Sequence, residues 1–429
     1  MYLCPITVFS PNKKETESYT PPKFLPQPKL ESKKRRMISV DDFTRRCVEK
    51  SRAEDVATRK WRRKCRRFEN HLCEALMSND SATAKMNTKS PDHRIAIIAD
   101  IQCADHDDAW NFSKSQKRYF RHALVSTAEA VKFWNSIPDL ELVMQLGDVI
   151  DGRNNKIKGE SKRMLRLVCD IFKTCKTKEM EHLIGNHELY NFDRAFLRNH
   201  ELLQLPSPSW HVRDVGKNWR LVMLDAYVVS TLSKDPVLSA KAWNIIGKHN
   251  HNIDGKNRVL LTNDFKRGMI GTNRRFVPYN GGLGDEQLDF LRRVLTENKS
   301  RNVILFSHIP TFPGSAVTGL DTLLLDYEDL LKIIRCDGNG RVVAFISGHA
   351  HQGGYAFDPL SGTHHITIAS PLETPPPHVS QAVLELYDDF MLLHGSGKVR
   401  SLAMRTYVGR EQEARQIKPY TMQGFPQVI

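Results

Sequence analysis

The chain lacks a long apolar run of the kind that a membrane-spanning helix requires. Such a helix needs about 18 or more consecutive apolar residues, and the longest candidate, around LVMLDAYVV, is interrupted by Asp225. We therefore expect no transmembrane segment. The opening residues MYLCPITVFSPNKKE have no basic stretch before their few apolar residues and no long apolar core, so we expect no secretory signal either.

Paired cysteines and several well-known catalytic patterns are also missing. The 8 cysteines form no C-x-x-C pair and show no regular spacing, which favours reduced thiols in a cytoplasmic protein over a disulfide framework. There is no Gly-rich phosphate loop of the Walker type, no Ser-His-Asp order and no internal repeat at a fixed period. These absences argue against P-loop nucleotide hydrolases, serine hydrolases and repeat architectures.

Positive charge is in excess, but it is concentrated at one end of the chain. The net charge is +14, and residues 1–90 contain 21 Lys and Arg against 11 Asp and Glu, so this stretch carries +10 of the total. The remaining 339 residues are nearly neutral, at +4. The sequence therefore predicts a basic N-terminal extension, residues 1–90, joined to a nearly neutral main domain.

The extension has two parts. Residues 19–36, YTPPKFLPQPKLESKKRR, are rich in proline and poor in apolar residues, which predicts disorder. Residues 41–77 contain no Gly or Pro and predict a helix, whose basic centre RKWRRKCRRF could contact nucleic acid or an acidic membrane. The alternative is a solvated helix that rests on the main domain through Trp61, Cys65, Phe68 and Leu72. The KKRR stretch could serve as a nuclear address.

From Arg94 onward, apolar runs alternate with helical patterns. Four of these runs stop at a polar motif: IAIIAD at Asp100, LVMQLGD at Asp148, VILFSH at His308 and VVAFISGH at His349. Such runs are typical of buried strands whose carboxyl ends carry functional residues. The first is followed by a predicted helix over residues 113–134, and residues 228–277 lack clear periodicity, which indicates a long insertion at the active-site edge.

Seven residues in these motifs and their neighbours are candidate ligands for two divalent cations. Two close cations need several oxygen and nitrogen donors and at least one carboxylate that can reach both, and we assign that bridging role to Asp148. Taken singly, each residue could equally be a turn former or a helix cap. The candidates are Asp100, Gln102, Asp148, Asn186, His308, His349 and His351.

The order D-x-Q, GD-x-x-D, GNHE, H, GH-x-H resembles that of the calcineurin-like metallophosphoesterases. The segments ADIQCAD, QLGDVIDGR, GNHELYNF, YNGGLGDEQLDFL, GHAHQGGYAFDP and LETPPP resemble, more narrowly, the manganese-dependent ADP-ribose/CDP-alcohol diphosphatases. The resemblance implies an α/β fold, a four-layer α/β/β/α sandwich with two packed mixed sheets, over residues 91–410. Residues 411–429 would then be a C-terminal tail.

The resemblance also implies roles for individual residues. His187 would be the catalytic histidine, with Asp151 and Glu188 orienting it or the ligands. Gln102 replaces the histidine of the commoner D-x-H motif, and its harder oxygen donor suits manganese, with magnesium also possible. Arg118, Tyr119 and Asn280 would bind substrate. One ion would take Asp100, Gln102, Asp148 and His351, and the other Asp148, Asn186, His308 and His349.

The expected activity is hydrolysis of the diphosphate in ADP-ribose and in CDP-alcohols such as CDP-choline and CDP-glycerol. The products would be AMP or CMP and a phosphorylated sugar or alcohol. Another calcineurin-like activity is the alternative: a protein phosphatase, a cyclic-nucleotide phosphodiesterase or a phosphomonoesterase. A non-enzymatic binding module with a relic metal site is a further alternative, although the ligand set is complete. We expect a monomer.

Overall fold

The computed structural model describes residues 90–297, 300–316 and 319–406. Strands and helices alternate along these residues. The helices that the structure describes are α1 (His122–Trp134), α2 (Glu160–Lys173), α3 (Asn186–Asn191), α4 (Arg194–Asn199), α5 (Pro236–His249), α6 (Asp285–Glu297) and α7 (Tyr327–Cys336).

The first large sheet has six strands, numbered here by their order in the chain. In spatial order the strands are β18 (Leu402–Arg405), β17 (Phe390–Ser396), β16 (Gln381–Leu386), β1 (His93–Ile98), β4 (Leu142–Gln145) and β5 (Met180–His182). The pairs β1–β4 and β4–β5 are parallel, whereas β1–β16, β16–β17 and β17–β18 are antiparallel.

The second large sheet also has six strands and is mixed as well. Parallel pairing joins β7, β12, β13 and β15, and antiparallel strands flank them. In spatial order the strands are β14 (Gly354–Asp358), β15 (Thr363–Thr367), β13 (Val342–Ser347), β12 (Asn302–Ser307), β7 (Trp219–Leu224) and β6 (His211–Val215). The short pairs are β2 (Ala109–Trp110) with β3 (Lys117–Arg118), β8 (Val229–Ser230) with β11 (Gly281–Gly282), and β9 (Ile253–Asp254) with β10 (Val259–Leu260).

Apolar side chains that point alternately to the two faces of each sheet produce the layers of the fold. Ile95 and Ile97 of β1 join a buried cluster with side chains of the second sheet, such as Phe306. The intervening Ala96 and Ile98 face the other way, into a cluster that contains side chains from the helices. Because successive side chains of a strand point to opposite faces, each sheet packs on the other sheet and on helices. The expected four-layer sandwich with two mixed sheets is confirmed.

The start of the first helix differs from the prediction. The sequence pattern predicted a helix over residues 113–134, but α1 begins at His122, and the residues before it form the β2–β3 hairpin. The side chain of Asn111 holds the hairpin loop by accepting hydrogen bonds from the backbone N–H groups of Ser115 and Gln116. Such side-chain bonds to nearby backbone compete with helix formation.

The segment between Tyr227 and Pro278 is folded, with a small core of its own. It contains α5 and the β9–β10 pair, and a separate apolar cluster unites Trp243, Ile246, Ile253 and Phe276 with Leu325. Asp235 caps α5 by accepting hydrogen bonds from two backbone N–H groups, and Pro236 occupies the first turn. Both features favour a helix start.

Several predictions lie outside the described residues. These are the disordered stretch and the basic helix of residues 1–90, and the C-terminal tail over 411–429. In the part of the chain that the structure describes, no helix has the length and apolar character needed to cross a membrane. Cys103, Cys169, Cys175 and Cys336 are free thiols in that part.

Candidate metal centre

The candidate ligands lie in loops that follow the carboxyl ends of central strands. Asp100 follows β1, Asp148 follows β4, His308 follows β12 and His349 follows β13. Because parallel strands end at the same edge of their sheet, these loops meet. Ligand atoms of Asp148, His308 and His349 lie within 4.8 Å of one another. Asp148 and His308 are fully buried or nearly so.

The backbone at these loops is unusual in a way that fits a functional site. Asp100, Gln102, Asp148 and His349 all have positive φ angles, between 45° and 65°. Residues other than glycine rarely adopt this left-handed conformation, which costs about 1–3 kcal/mol where it occurs and tends to cluster at functional sites. Here it turns four proposed ligands toward one another.

Glycines before two proposed ligands leave room for the carboxylates. A Cβ on Gly185 would lie 2.0 Å from Oδ1 of Asp148, and one on Gly348 would lie 2.5 Å from Oδ2 of Asp100. Both separations are far below van der Waals contact. The GN and GH pairs of the motifs are therefore required by close packing against the two carboxylates.

Each of the three histidines has one ring nitrogen held by a protein partner. Nδ1 of His308 lies 2.7 Å from the carbonyl oxygen of Leu146, and Nε2 of His349 lies 2.8 Å from Oδ1 of Asn280. Nδ1 of His351 lies 3.0 Å from Oε1 of Glu373. Such contacts fix the tautomer and the ring orientation, so that the other nitrogen can bind a metal.

The remaining nitrogens and the amide of Gln102 face the carboxylates. Nε2 of His308 lies 3.4 Å from Oδ2 of Asp148, and Nε2 of His351 lies 3.6 Å from Oδ1 of Asp100. Nε2 of Gln102 lies 2.9 Å from both Oδ2 of Asp148 and Nε2 of His351. The four residues expected to bind the first ion are therefore neighbours, and the amide of Gln102 turns its nitrogen toward Asp148 and His351.

Electrostatics at the centre call for positive charge. Burial raises the pKa of Asp100 despite the nearby His308 and His351. Burial also opposes ionisation of Asp148, but surrounding histidines, His187 and His308 first, keep its pKa well below the usual range. Burial would lower the pKa of His308, yet Asp148 and Asp100 raise it to about 9. A bound cation would therefore stabilise the negative charge of the two buried carboxylates.

The donor set passes a test of fit for divalent metal ions. Among the described residues, Oδ1 of Asp100, Oε1 of Gln102 and Nε2 of His308 are buried and have no hydrogen-bond partner. Buried polar atoms normally have partners, because leaving one unsatisfied costs about 1–3 kcal/mol. Carboxylate oxygen, amide oxygen and imidazole nitrogen are all ligands for ions such as Mn²⁺. These three orphaned atoms therefore fit a metal centre.

His187 lies at the edge of this cluster in a defined tautomer. The backbone N–H of Gly152 donates to Nδ1 of His187, with a separation of 2.7 Å. Because Nδ1 accepts, the neutral ring carries its proton on Nε2, and Nε2 lies 3.9 Å from Oδ2 of Asp148. Oδ2 of Asp151 lies 3.6 Å from Nδ1. The ring thus presents a proton toward the proposed metal centre.

Glu188 holds two ligand loops together. Its Oε2 accepts hydrogen bonds from the backbone N–H groups of Gly185 and Asp148, and its Oε1 accepts one from Val149, at 2.6 to 2.7 Å. The carboxylate is buried, so it has little access to water. Glu188 therefore links the loop that carries Asp148 to the loop that carries Asn186.

The three proposed substrate residues occupy different surroundings. Nε of Arg118 lies 3.0 Å from Oε1 of Glu373, and its side chain is 25% exposed at the rim beside His351. Tyr119 is partly buried next to it and donates its backbone N–H to Leu372. Asn280 is fully buried, and its Nδ2 donates to the backbone carbonyls of Arg275 and Asp321.

Asn280, which the resemblance predicted to bind substrate, lies against the proposed metal ligand His349. Its side chain is taken up by protein partners, including His349, and none of it reaches the surface. The structure thus places Asn280 behind a proposed ligand, where it orients His349. The YNGG segment resembles a motif of the family, but the sequence alone does not show whether the amide of Asn280 faces the substrate or the ring of His349.

Glu373 was not singled out by the sequence. It lies in the LETPPP segment, and its side chain is only 2% exposed and contacts both Arg118 and His351. Burial would raise its pKa, but His351 and Arg118 lower it to about 2. The sequence feature that could have indicated Glu373 is a carboxylate within LETPPP, a segment that carries the family resemblance. Its pairing with His351 depends on the fold.

Two histidines that the sequence left without a functional role are buried in the core. His365 is stacked on Phe312 with ring centroids 4.6 Å apart, and burial lowers its pKa to about 3. Burial likewise lowers the pKa of His182 to about 4. A neutral ring packed among apolar side chains indicates a structural role for His365.

Comparison with known proteins supports the same reading. A family model described as "Calcineurin-like phosphoesterase" matches residues 93–353. Proteins named "Manganese-dependent ADP-ribose/CDP-alcohol diphosphatase" from Danio rerio and Oryza sativa subsp. japonica are 33% and 34% identical to this chain. The matches cover 74% and 77% of this chain and 99% of each relative.

A solved structure agrees with the fold. The crystal structure of a dimetal phosphatase from Danio rerio is 33% identical, covers 74% of this chain and 100% of its own, and has a TM-score of 0.68. The family model, from His93 to Gly353, includes all seven proposed ligands. The chain belongs to the calcineurin-like phosphoesterases and, within them, to the family of the manganese-dependent ADP-ribose/CDP-alcohol diphosphatases.

Proposed function

We propose that the protein is a manganese-dependent hydrolase of the diphosphate in ADP-ribose and in CDP-alcohols such as CDP-choline and CDP-glycerol. The observation that carries the proposal is the buried cluster of unsatisfied oxygen and nitrogen donors from Asp100, Gln102 and His308. The names of the relatives supply the metal and the substrate class. The donor set suits the metal, because Gln102 offers an oxygen where other metallophosphoesterases have an imidazole.

We assign the ligands to two ions that share Asp148. When bound, two divalent ions polarise phosphoryl oxygens and make a water nucleophilic at neutral pH. The protein supplies the arrangement, because the partners described above hold each histidine ring and Glu188 holds the loops of Asp148 and Asn186. The ligands are Asp100, Gln102, Asp148 and His351 for one ion, and Asp148, Asn186, His308 and His349 for the other.

His187 acts as a hydrogen-bond donor to the leaving group in this proposal. Its Nδ1 is occupied by the N–H of Gly152, so the proton on Nε2 is available on the side of Asp148. A phosphate leaving group is stabilised when a positioned acid protonates or hydrogen-bonds its oxygen. His187 would keep this proton and donate a hydrogen bond from Nε2 to the departing oxygen, whose negative charge is stabilised in this way. The departing phosphate would then take its proton from solvent.

Arg118 is the residue of this chain best placed to contact a substrate phosphate at the rim. Its guanidinium is anchored to Glu373 but remains partly exposed next to His351. A fixed guanidinium offers several donors to a phosphate oxygen. Arg118→Lys should therefore raise KM without changing the number of bound metal ions. Arg121→Lys is the matched control, because Arg121 pairs with the exposed carboxylates of Asp105 and Asp107 and not with Glu373.

The expected products depend on which part of the substrate the protein binds. Binding energy from the nucleoside and ribose aligns the phosphorus for attack, and a substrate that lacks these groups forfeits it. We therefore expect ADP-ribose to yield AMP and ribose 5-phosphate, and CDP-choline to yield CMP and phosphocholine. Tyr119, next to Arg118, is the proposed contact for these groups.

The test is a substrate panel with the purified full-length protein in manganese and in magnesium. ADP-ribose, CDP-choline and CDP-glycerol are compared with p-nitrophenyl phosphate, a cyclic nucleotide and a phosphoprotein. Asp148→Asn should abolish turnover of all substrates, whereas Asp170→Asn, the same change on the exposed surface of α2, should leave it intact. Faster turnover of any comparison substrate would replace the diphosphatase with the corresponding alternative activity.

The proposal extends to the arrangement and location of the protein. We propose a cytoplasmic monomer in which residues 91–410 form the catalytic domain, with 1–90 a basic extension and 411–429 a tail. The extension could contact nucleic acid or an acidic membrane, and its KKRR stretch could direct the protein to the nucleus. Fluorescence localisation of the full chain and of a variant with KKRR changed to QQQQ distinguishes the two compartments.

A further inference from the structure

Tyr227 has a buried hydroxyl group beside the metal centre, and no role has been assigned to it so far. The residue follows β7 and is fully buried. Its ring lies against the ring of His308, with centroids 5.9 Å apart. Burial of a phenol hydroxyl is unfavourable unless the group has a hydrogen-bond partner within the protein.

The partner of this hydroxyl is a proposed metal ligand. The Tyr227 hydroxyl donates to Oδ1 of Asn186 at 3.1 Å, and the backbone oxygen of Tyr279 lies at 3.4 Å. An amide oxygen has two acceptor positions, so one can take the hydroxyl while the other faces a cation. Asn186 itself is only 4% exposed, so water has little access to its amide.

Tyr227 is itself held in place by a network behind the site. Its backbone N–H donates to Oδ1 of Asp225 at 2.8 Å, and Arg194 donates both to Oδ2 of Asp225 and to the carbonyl of Tyr227. Gln287 binds the backbone N–H and carbonyl of Asp225. Asp225 is therefore the anchor of a rigid support, although it is no ligand itself.

We propose that Tyr227 is a positioning residue that orients the amide of Asn186 so that its oxygen can bind the second metal ion. This inference rests on the metal centre of the proposed function and not on the identity of the substrate. The oxygen and nitrogen of an asparagine amide have nearly the same shape, so only their hydrogen bonds distinguish the two orientations. The hydroxyl of Tyr227, held in place by its neighbours, therefore selects the orientation in which the amide oxygen of Asn186 faces Tyr227.

The test is a manganese titration of the full-length protein, followed by calorimetry and by the electron paramagnetic resonance signal of free Mn²⁺. Tyr227→Phe removes the hydroxyl and keeps the ring against His308. We expect one of the two ions to bind about 10- to 100-fold more weakly, as is typical when the partner of a ligand is removed. Tyr387→Phe is the matched control, because its hydroxyl bonds to Glu385 in the first sheet.

A rescue variant separates orientation from general damage. In Tyr227→Phe with Asn186→Asp, either oxygen of the carboxylate can bind the ion, so no orienting donor is needed and affinity should recover. Unchanged affinity for both ions in Tyr227→Phe, an equal loss in Tyr387→Phe, or no recovery in the double variant would overturn the inference. So would binding of fewer than two ions by the unmodified protein.

These measurements use manganese alone, so they are independent of the proposed substrates. A protein that binds two ions, loses one in Tyr227→Phe and fails to hydrolyse ADP-ribose would keep this inference and refute the diphosphatase. Circular dichroism of both tyrosine variants checks that the fold is retained. If Tyr227→Phe does not fold, Asp225→Asn provides the second test, because it weakens the support of Tyr227 while leaving its hydroxyl in place.

Discussion

Replacing Glu188 by glutamine should destabilise the protein through the loss of one acceptor. The carboxylate accepts three backbone hydrogen bonds, two at Oε2 and one at Oε1. An amide has one oxygen, so at best it keeps the two bonds from Gly185 and Asp148 and turns its NH₂ group toward the N–H of Val149. At least one buried N–H is then left unsatisfied.

The size of the effect follows from that count. An unsatisfied buried donor costs about 1–3 kcal/mol, and bonds to a charged acceptor are stronger than those to a neutral one. Burial disfavours the charge of Glu188, and glutamine removes that cost, so we expect the free energy of unfolding to fall by only about 1–2 kcal/mol. The loop of Asn186 should also loosen, which would weaken manganese binding.

The assay is urea unfolding followed by circular dichroism with metal removed. Burial, and then the charge of Asp148, raise the pKa of Glu188 to about 7, so the comparison is made above that value to keep the side chain ionised. Glu160→Gln is the control, because Glu160 pairs with the exposed Arg163 at the start of α2. A loss in Glu188→Gln no larger than in this control would refute the proposed role.

Three further predictions address the metal, the extension and the pH dependence of stability. Gln102→His should shift the metal that gives the highest activity from manganese toward iron or zinc, because an imidazole is a softer donor; unchanged metal preference would mean that residue 102 does not coordinate. Deleting residues 1–90 should leave kcat and KM nearly unchanged, since no proposed ligand lies there, and a loss of activity or solubility would show that the extension packs on the domain. Burial opposes ionisation of Asp358, but hydrogen bonds from Arg335 and Ser361 lower the pKa of its carboxyl group in the folded protein. The ionised carboxylate therefore stabilises the fold above its unfolded-state pKa, and this stabilisation is lost as pH falls through the folded-state pKa. Asp358→Asn should accordingly lower the unfolding free energy by about 2 kcal/mol at neutral pH, and the difference from the unmodified protein should shrink in acid; a difference that stays constant with pH contradicts this.

The sequence was sufficient for the features that depend on local pattern. Apolar runs located β1, β4, β12 and β13, and the polar residues at their ends supplied the candidate ligands. The helix start at His122 was not found, because the Asn111 loop forms hydrogen bonds that a periodicity argument does not see. Helix α5 was missed as well, although Asp235 and Pro236 formed a cap signal that could have located it.

The residues around the ligands could not be found from sequence for a different reason. Glu373 lies 22 positions from His351, and Asn280 lies 69 positions from His349. Contacts of this kind arise only when loops from separate strands meet at one edge. The proposed ligands could therefore be selected from the sequence by their chemical type, whereas the residues that contact them could be found only from the fold.

The most direct test of the proposed activity is product analysis with manganese. Incubation with ADP-ribose and with CDP-choline, followed by chromatography and phosphorus NMR, identifies which bond is broken. The account predicts AMP with ribose 5-phosphate and CMP with phosphocholine, and neither pair in Asp148→Asn. Intact nucleotides together with rapid release of phosphate from p-nitrophenyl phosphate would contradict the diphosphatase assignment and identify a phosphomonoesterase instead.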